Sequence, residues 1–226
     1  MFVKEPFVIF EDNHLLAICK PAGWLVQGDR TGDSTLTDWG KAYLKEKYDK
    51  PGAVFLHPAH RIDRPVSGVV LFARTDKALG RLTTMFRDRQ VVKTYLALVL
   101  NKPRAVAGQL RHFLLKDEQR NVVTAFPKPH GEAKEALLQY EYRGVAGAYH
   151  LLRVSPLTGR PHQIRVQLAA MGCPIAGDLK YGASQALPDA SICLHSHSIA
   201  FEHPVRKEPL LITAPVPDTG VWAGVV

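Results

Sequence analysis

Between residues 110 and 154 the chain runs through short stretches of alternating and branched apolar residues, broken at Pro127-Lys128-Pro129 and at Gly144-Val145-Ala146-Gly147. This punctuation predicts three or four antiparallel strands in succession and leaves no room there for a regular strand–helix wind. Strand character recurs on either side. Residues 7–10 and 15–19 are split by the turn-like Glu11-Asp12-Asn13 and predict a hairpin or two adjacent strands. Residues 91–100 are rich in branched and aromatic side chains and predict another strand. Two more are expected at residues 192–201 and 210–212.

Three helices fit between these strands. One starts near Thr35 and carries Leu36, Trp39, Tyr43 and Leu44 on one face, with Pro51-Gly52 beyond its end. Asp76 is placed to cap a second, whose apolar stripe is Leu79, Leu82, Met85 and Phe86. A turn at Pro156-Leu157-Thr158-Gly159 leads into the third, residues 162–171, with Gly172 placed to end it. Loops are expected at residues 27–34, 103–108 and 182–189. Strands outnumber helices and mostly follow one another, so the fold class is α+β. No linker divides the chain, and residues 1–226 are expected to form a single domain.

An excess of Lys+Arg (29) over Asp+Glu (21) gives a formal charge of +8, which suits a polyanionic partner. Cys19, Cys173 and Cys193 lie far apart among apolar residues, with no Cys-x-x-Cys, and read as small core residues in a reducing compartment. No apolar run is long enough to span a membrane and the N-terminus lacks a signal-peptide pattern, so a cytoplasmic protein is expected.

The chemistry concentrates in three segments. His60-Arg61-Ile62-Asp63-Arg64-Pro65-Val66-Ser67-Gly68 sets one carboxylate between two guanidinium groups and runs straight into the apolar Val69-Val70-Leu71-Phe72-Ala73. Nearby positive charge favours the ionised carboxylate, and such an acid at the lip of a core strand suits attack on an electron-poor carbon beside a polyanion. Taken alone, the charge run also fits a surface salt-bridge cluster. Its abutment on an apolar strand and the turn made by Pro65, Ser67 and Gly68 favour the functional reading. Tyr95, within Lys93-Thr94-Tyr95, offers a flat ring either to the core or to an unstacked base. In Thr158-Gly159-Arg160-Pro161-His162-Gln163-Ile164-Arg165, positive charge crowds a helix start, where the dipole disfavours it. Stability does not select such residues, whereas an anion receptor does.

Together these segments resemble the RluA-type family of pseudouridine synthases. The likeness rests on Lys20 to Gly23, His60 to Gly68, Lys93 to Tyr95, Thr158 to Arg165, and Gly177-Asp178-Leu179-Lys180-Tyr181-Gly182, with a further echo in Leu194-His195 and in Phe201-Glu202-His203-Pro204. They occur in the family's order over nearly the whole chain. The resemblance implies the pseudouridine synthase catalytic fold, a mixed, mainly antiparallel bent sheet flanked by helices. It also implies cofactor-independent isomerisation of uridine in ribosomal or transfer RNA.

By match to the family's pattern, Asp63 is the essential carboxylate, acting at ribose C1′ or assisting base departure with proton loss from C2′. Tyr95 is the clamp for the loosened uracil, and Arg165 the partner that keeps Asp63 charged and aimed. Arg61 fills the space left by the flipped nucleotide, and His60, Arg64, Arg160 and His162 complete the RNA-binding set. Flipping is cheapest in a loop or bulge, so the expected target is a structured RNA loop. Val66 stands where the family often has Thr. Few residues precede the first strand, so the catalytic domain is expected to act without an S4 domain, and as a monomer.

Other chemistries fit less well. Ser67 with His60 as base lacks a Gly-x-Ser-x-Gly elbow, which argues against a serine hydrolase. His195 and His197 share one strand face, but no further ligand spacing supports a metal. No phosphate-binding glycine loop is present. The rival class is an RNA-binding protein that keeps the fold without catalysis.

Overall fold

The computed structural model describes residues 5–28, 32–218 and 220–225. In chain order the elements are β1 (Phe7–Glu11), β2 (Leu15–Lys20), α1 (Leu36–Lys47), β3 (His57–Pro58), β4 (Ser67–Ala73), α2 (Asp76–Arg87) and β5 (Val92–Val99). There follow β6 (Ala107–Asp117), β7 (Val122–Phe126), β8 (Lys134–Ala146), β9 (Tyr149–Pro156), α3 (Gln163–Ala170), β10 (Leu194–Glu202) and β11 (Pro209–Thr213). The chain forms two compact units: residues 1–92 with 196–217, and residues 93–195 with 218–226. The chain passes from one unit to the other three times, within β5, within β10 and after Pro217.

In the first unit the sheet order is β1-β2-β4-β10, with β11 pairing β10 and the two-residue β3 pairing β4. Residues of opposite parity on one strand face opposite sides, and both sides here are covered. Leu15, Ala17 and Cys19 of β2 join Val69, Leu71 and Ala73 of β4 in a cluster with Ala78 and Leu82 of α2. Leu16, Ile18, Val70 and Phe72 pack with Leu36 and Leu44 of α1. Double coverage explains why β2 and β4 read as unbroken apolar runs rather than as alternating strands.

Helix α1 starts where expected, and Thr35 caps it with a reciprocal capping box to Asp38. The cap of α2 is Thr75, whose hydroxyl accepts from Ala78 N; Asp76, the expected cap, is the first helical residue. A carboxylate in the first turn still favours the dipole, which is why the two positions are hard to tell apart from sequence. Of the expected loop at residues 27–34, positions 29–31 lie outside the described residues.

The second unit holds four consecutive strands, β6 to β9, with β5 in the order β5-β9-β8-β6-β7, every neighbouring pair antiparallel. The expected break at residues 144–147 is later and smaller: β8 continues to Ala146 through a register shift between Tyr142 and Gly144. A bulge lets a strand absorb a glycine without ending. Helix α3 covers one face, with Val166 packed among Leu114, Val123, Ala136 and Tyr181. Gly172, at φ 82°, follows its end as expected. The α+β organisation and the antiparallel character expected from the sequence are both present.

Candidate active site

Asp63 stands in the loop between β3 and β4, in the first unit. Backbone and side chains fix this loop from several directions. Val66 N donates to Asp63 O at 3.0 Å, closing a tight turn. His60 Nε2 accepts from Leu71 N at 3.1 Å, extending the β3–β4 ladder with a side chain, and its ring stacks on Phe86. The carbonyl of Arg64 accepts from Gly23 N at 2.8 Å and from Lys20 Nζ at 3.1 Å. Arg64 Nε donates to Gly23 O, and its Nη1 pairs with Asp33 at 2.8 Å. Arg61 is exposed.

Gly68 carries the chain from this loop into β4 at φ 115°. A Cβ there would lie 2.2 Å from the carbonyl oxygen of Ser196 on the neighbouring β10. The Asp63 loop therefore meets the sheet at a position where only glycine fits.

Lys20 is the residue the sequence reading missed. At the end of β2 its side chain is fully buried, and its ammonium donates to the carbonyls of Pro21, Trp24 and Arg64 at 3.0, 2.9 and 3.1 Å. Burial pushes it down to about 7, and the Asp63 carboxylate acts against that shift. It comes from the Lys20-Pro21-Ala22-Gly23 segment, which the sequence marks as a motif without giving Lys20 a role. The available signal was a lone lysine closing an otherwise apolar strand.

Tyr95 and Arg165 belong to the second unit. Tyr95 lies mid-strand on β5, 8% exposed, with its backbone paired to Val154 of β9. Arg165 lies in the first turn of α3, 6% exposed. Its Nε donates to Asp178 Oδ2 at 2.7 Å and its Nη2 to Asp178 Oδ1 at 2.8 Å, the planar fork that suits a carboxylate. The guanidinium lies 5.0 Å from the ring centre of Tyr181. Tyr181 accepts from Val123 N at 2.9 Å and shares a second hydrogen bond of 2.6 Å with His162 Nδ1. Asp178 and Tyr181 both come from the glycine-flanked segment 177–182, recognised in the sequence as a motif but given no role.

The turn before α3 explains the crowding of polar residues there. His162 is the N-cap, in the left-handed region at φ 48°, and makes no side-chain cap bond. Gln163 Oε1 accepts from Thr158 Oγ1 and from Arg160 N, while its Nε2 donates to Leu137 O. Arg160 Nε donates to Glu135 O. Gln163 is therefore a strut that fastens the turn to β8. The dipole penalty at Arg165 is offset locally by Asp178.

The three cysteines are buried and free. Among the described residues no group of three or more His, Cys, Asp or Glu is arranged to hold a metal ion.

The family model for RNA pseudouridylate synthase matches residues 14–170, which include Asp63, Tyr95 and Arg165. The "Ribosomal large subunit pseudouridine synthase C" of Vibrio vulnificus is 34% identical over 220 residues, covering 94% of this chain and 66% of that protein. The "Dual-specificity RNA pseudouridine synthase RluA" of Pasteurella multocida is 33% identical over 214 residues, covering 92% of each. The chain thus spans about two thirds of the first relative's length and nearly all of the second's. Among solved structures, Human RNA Pseudouridylate Synthase Domain Containing 4 superposes with a TM-score of 0.75 at 25% identity, covering 93% of this chain and 88% of that one. With most of the chain matched by the family model and by relatives more than 30% identical, the chain belongs to the RNA pseudouridylate synthase family, as an RluA-type member.

Proposed function

We propose that this chain isomerises uridines in structured RNA, with Asp63 as the essential carboxylate. In the reaction the N1–C1′ bond breaks, a C5–C1′ bond forms, C5 gives up its proton and N1 gains one, so no oxidant or co-substrate is consumed. The observation that carries the reading is the fixing of the Asp63 loop. Gly68, Lys20, His60 and Arg64 each hold its backbone, so the carboxylate is presented in one geometry, and preorganisation of this kind supplies much of the rate in such reactions.

Tyr95 stacks on the uracil and takes the C5 proton. Arg165, oriented by Asp178, supplies fixed positive charge. Exposed Arg61 enters the space of the flipped nucleotide, while Arg160 and His162 receive the RNA strand beside α3. His60 and Arg64 act chiefly by holding the loop, given the bonds they make to Leu71 and Gly23. The names of the relatives favour ribosomal RNA of the large subunit as substrate, and work on that RNA fits a cytoplasmic protein. Among the described residues no helix is long and apolar enough to cross a membrane.

Mapping pseudouridines in total RNA from cells with and without the protein tests the proposal, because the site that disappears is the substrate. In vitro, Asp63→Asn is expected to abolish isomerisation of that site while RNA binding survives, since one charge is lost among many phosphate contacts. An active Asn variant overturns the role given to Asp63. Unchanged pseudouridine maps would leave the non-catalytic RNA-binding reading standing.

A further inference from the structure

Lys93 opens the Lys93-Thr94-Tyr95 segment of β5, and its ammonium is unusual among the described residues. The side chain is half-buried, and burial lowers its pKa with no opposing carboxylate. Among the described residues it makes no hydrogen bond and no ion pair. A desolvated ammonium without an internal partner is costly, so an internal structural role does not account for it.

The surroundings show where the ammonium looks. A Cβ built on Gly159 meets one heavy atom within 4 Å, Lys93 Nζ at 3.9 Å. The space above the Thr158-Gly159 turn is therefore open and is bordered by this cation, and the lack of a side chain at position 159 keeps it open. Lys93 and Tyr95 are two residues apart on one strand, so they share a face with a Cα spacing of about 6.8 Å.

We propose that Lys93 is a phosphate-binding residue: its ammonium takes an anionic oxygen of the RNA strand next to the nucleotide that stacks on Tyr95, in the space above Gly159. This rests on the reading of Tyr95 as the base clamp. Thr94, on the opposite face, takes no part. Phosphate binding supplies the counter-charge that no described residue supplies, and Gly159 keeps the approach clear.

The test compares wild type with Lys93→Met, Lys93→Arg and Gly159→Val, using an unmodified large-subunit ribosomal RNA transcript for turnover and a short oligouridylate for direct binding. Lys93→Met is expected to raise KM roughly 10- to 100-fold, the worth of one charged hydrogen bond, with a much smaller change in kcat. The slope of log affinity against log salt is expected to shrink by about 0.7, one phosphate on a single strand. Lys93→Arg recovers most of the loss. Gly159→Val raises KM with the charge intact, and it decides the matter if Lys93→Met does not fold.

An unchanged KM and salt slope in Lys93→Met, or a loss confined to kcat, overturns the proposal, as does a Gly159→Val variant that binds like wild type. If the transcript is not modified at all, the synthase reading fails separately, and the oligouridylate binding of wild type against Lys93→Met still decides the phosphate contact.

Discussion

The guanidinium of Arg165 and the carboxylate of Asp178 form a two-pronged pair, Nε to Oδ2 at 2.7 Å and Nη2 to Oδ1 at 2.8 Å, with side chains only 7% and 1% exposed. The pair links α3 to the segment just before the 3-10 turn at Leu179–Tyr181. Arg165 can therefore turn toward neither solvent nor another rotamer without abandoning a buried carboxylate.

Asp178→Ala is expected to destabilise the protein by about 3–5 kcal/mol, because it breaks a buried, two-pronged charge pair. Arg165→Met combined with Asp178→Leu should recover most of that stability, since apolar replacement of both partners is close to neutral. Neither variant should make pseudouridine at a useful rate. Urea unfolding followed by circular dichroism checks the first two statements. A double variant as unstable as Asp178→Ala would show that the pair's stabilising role has been misread.

Lys20 predicts a pH dependence. Its folded value is about 7 against an unfolded 10.5, lowered chiefly by burial. Between these two values the unfolded chain binds more protons than the folded one, so stability rises with pH across that window and is flat with respect to this group below it. The difference in urea midpoint between wild type and Lys20→Met should therefore shift in favour of wild type from pH 7 to pH 10. Parallel pH profiles would remove Lys20 as the titrating group.

Gly68→Ala should cost more than about 3 kcal/mol, combining a positive φ with a Cβ placed against the Ser196 backbone. Gly80 is the contrasting position. It lies inside α2 with open space around a Cβ, so Gly80→Ala should stabilise by roughly 1 kcal/mol. Thermal melts of the two variants should move in opposite directions; a tolerated Gly68→Ala would mean that β10 is not packed against the start of β4 as described.

Tyr95→Phe keeps the ring and loses the hydroxyl. RNA affinity should hold, and turnover should fall by about 10²- to 10⁴-fold, the usual contribution of a positioned proton acceptor. Full activity in single-turnover assays would reduce Tyr95 to a stacking platform.

The sequence exposed the parts of the fold that depend on local periodicity. The face of α1 was visible in Leu36, Trp39, Tyr43 and Leu44, and the strand succession in its proline and glycine breaks. It also displayed Asp63, Tyr95 and Arg165 through segments whose order is specific to the family. It did not display what holds them. Asp178 is thirteen residues from Arg165, and Lys20 is forty-four from Arg64, whose carbonyl it grips. No periodicity connects such positions. Nor did the sequence display the bonds by which His60 takes Leu71 N and Gln163 takes the Thr158 hydroxyl, which tie the two loops to the sheet.

Residue order alone therefore determined the α+β class, the helix faces, the basic character and the family, because these follow from spacing, composition and motif order along the chain. Tertiary structure decided that a buried Lys20 grips the Arg64 carbonyl, that Asp178 takes the Arg165 guanidinium and that position 68 must be glycine. Those outcomes depend on distances between segments remote in sequence, and burial makes each of them matter by removing the water that would otherwise satisfy the same groups.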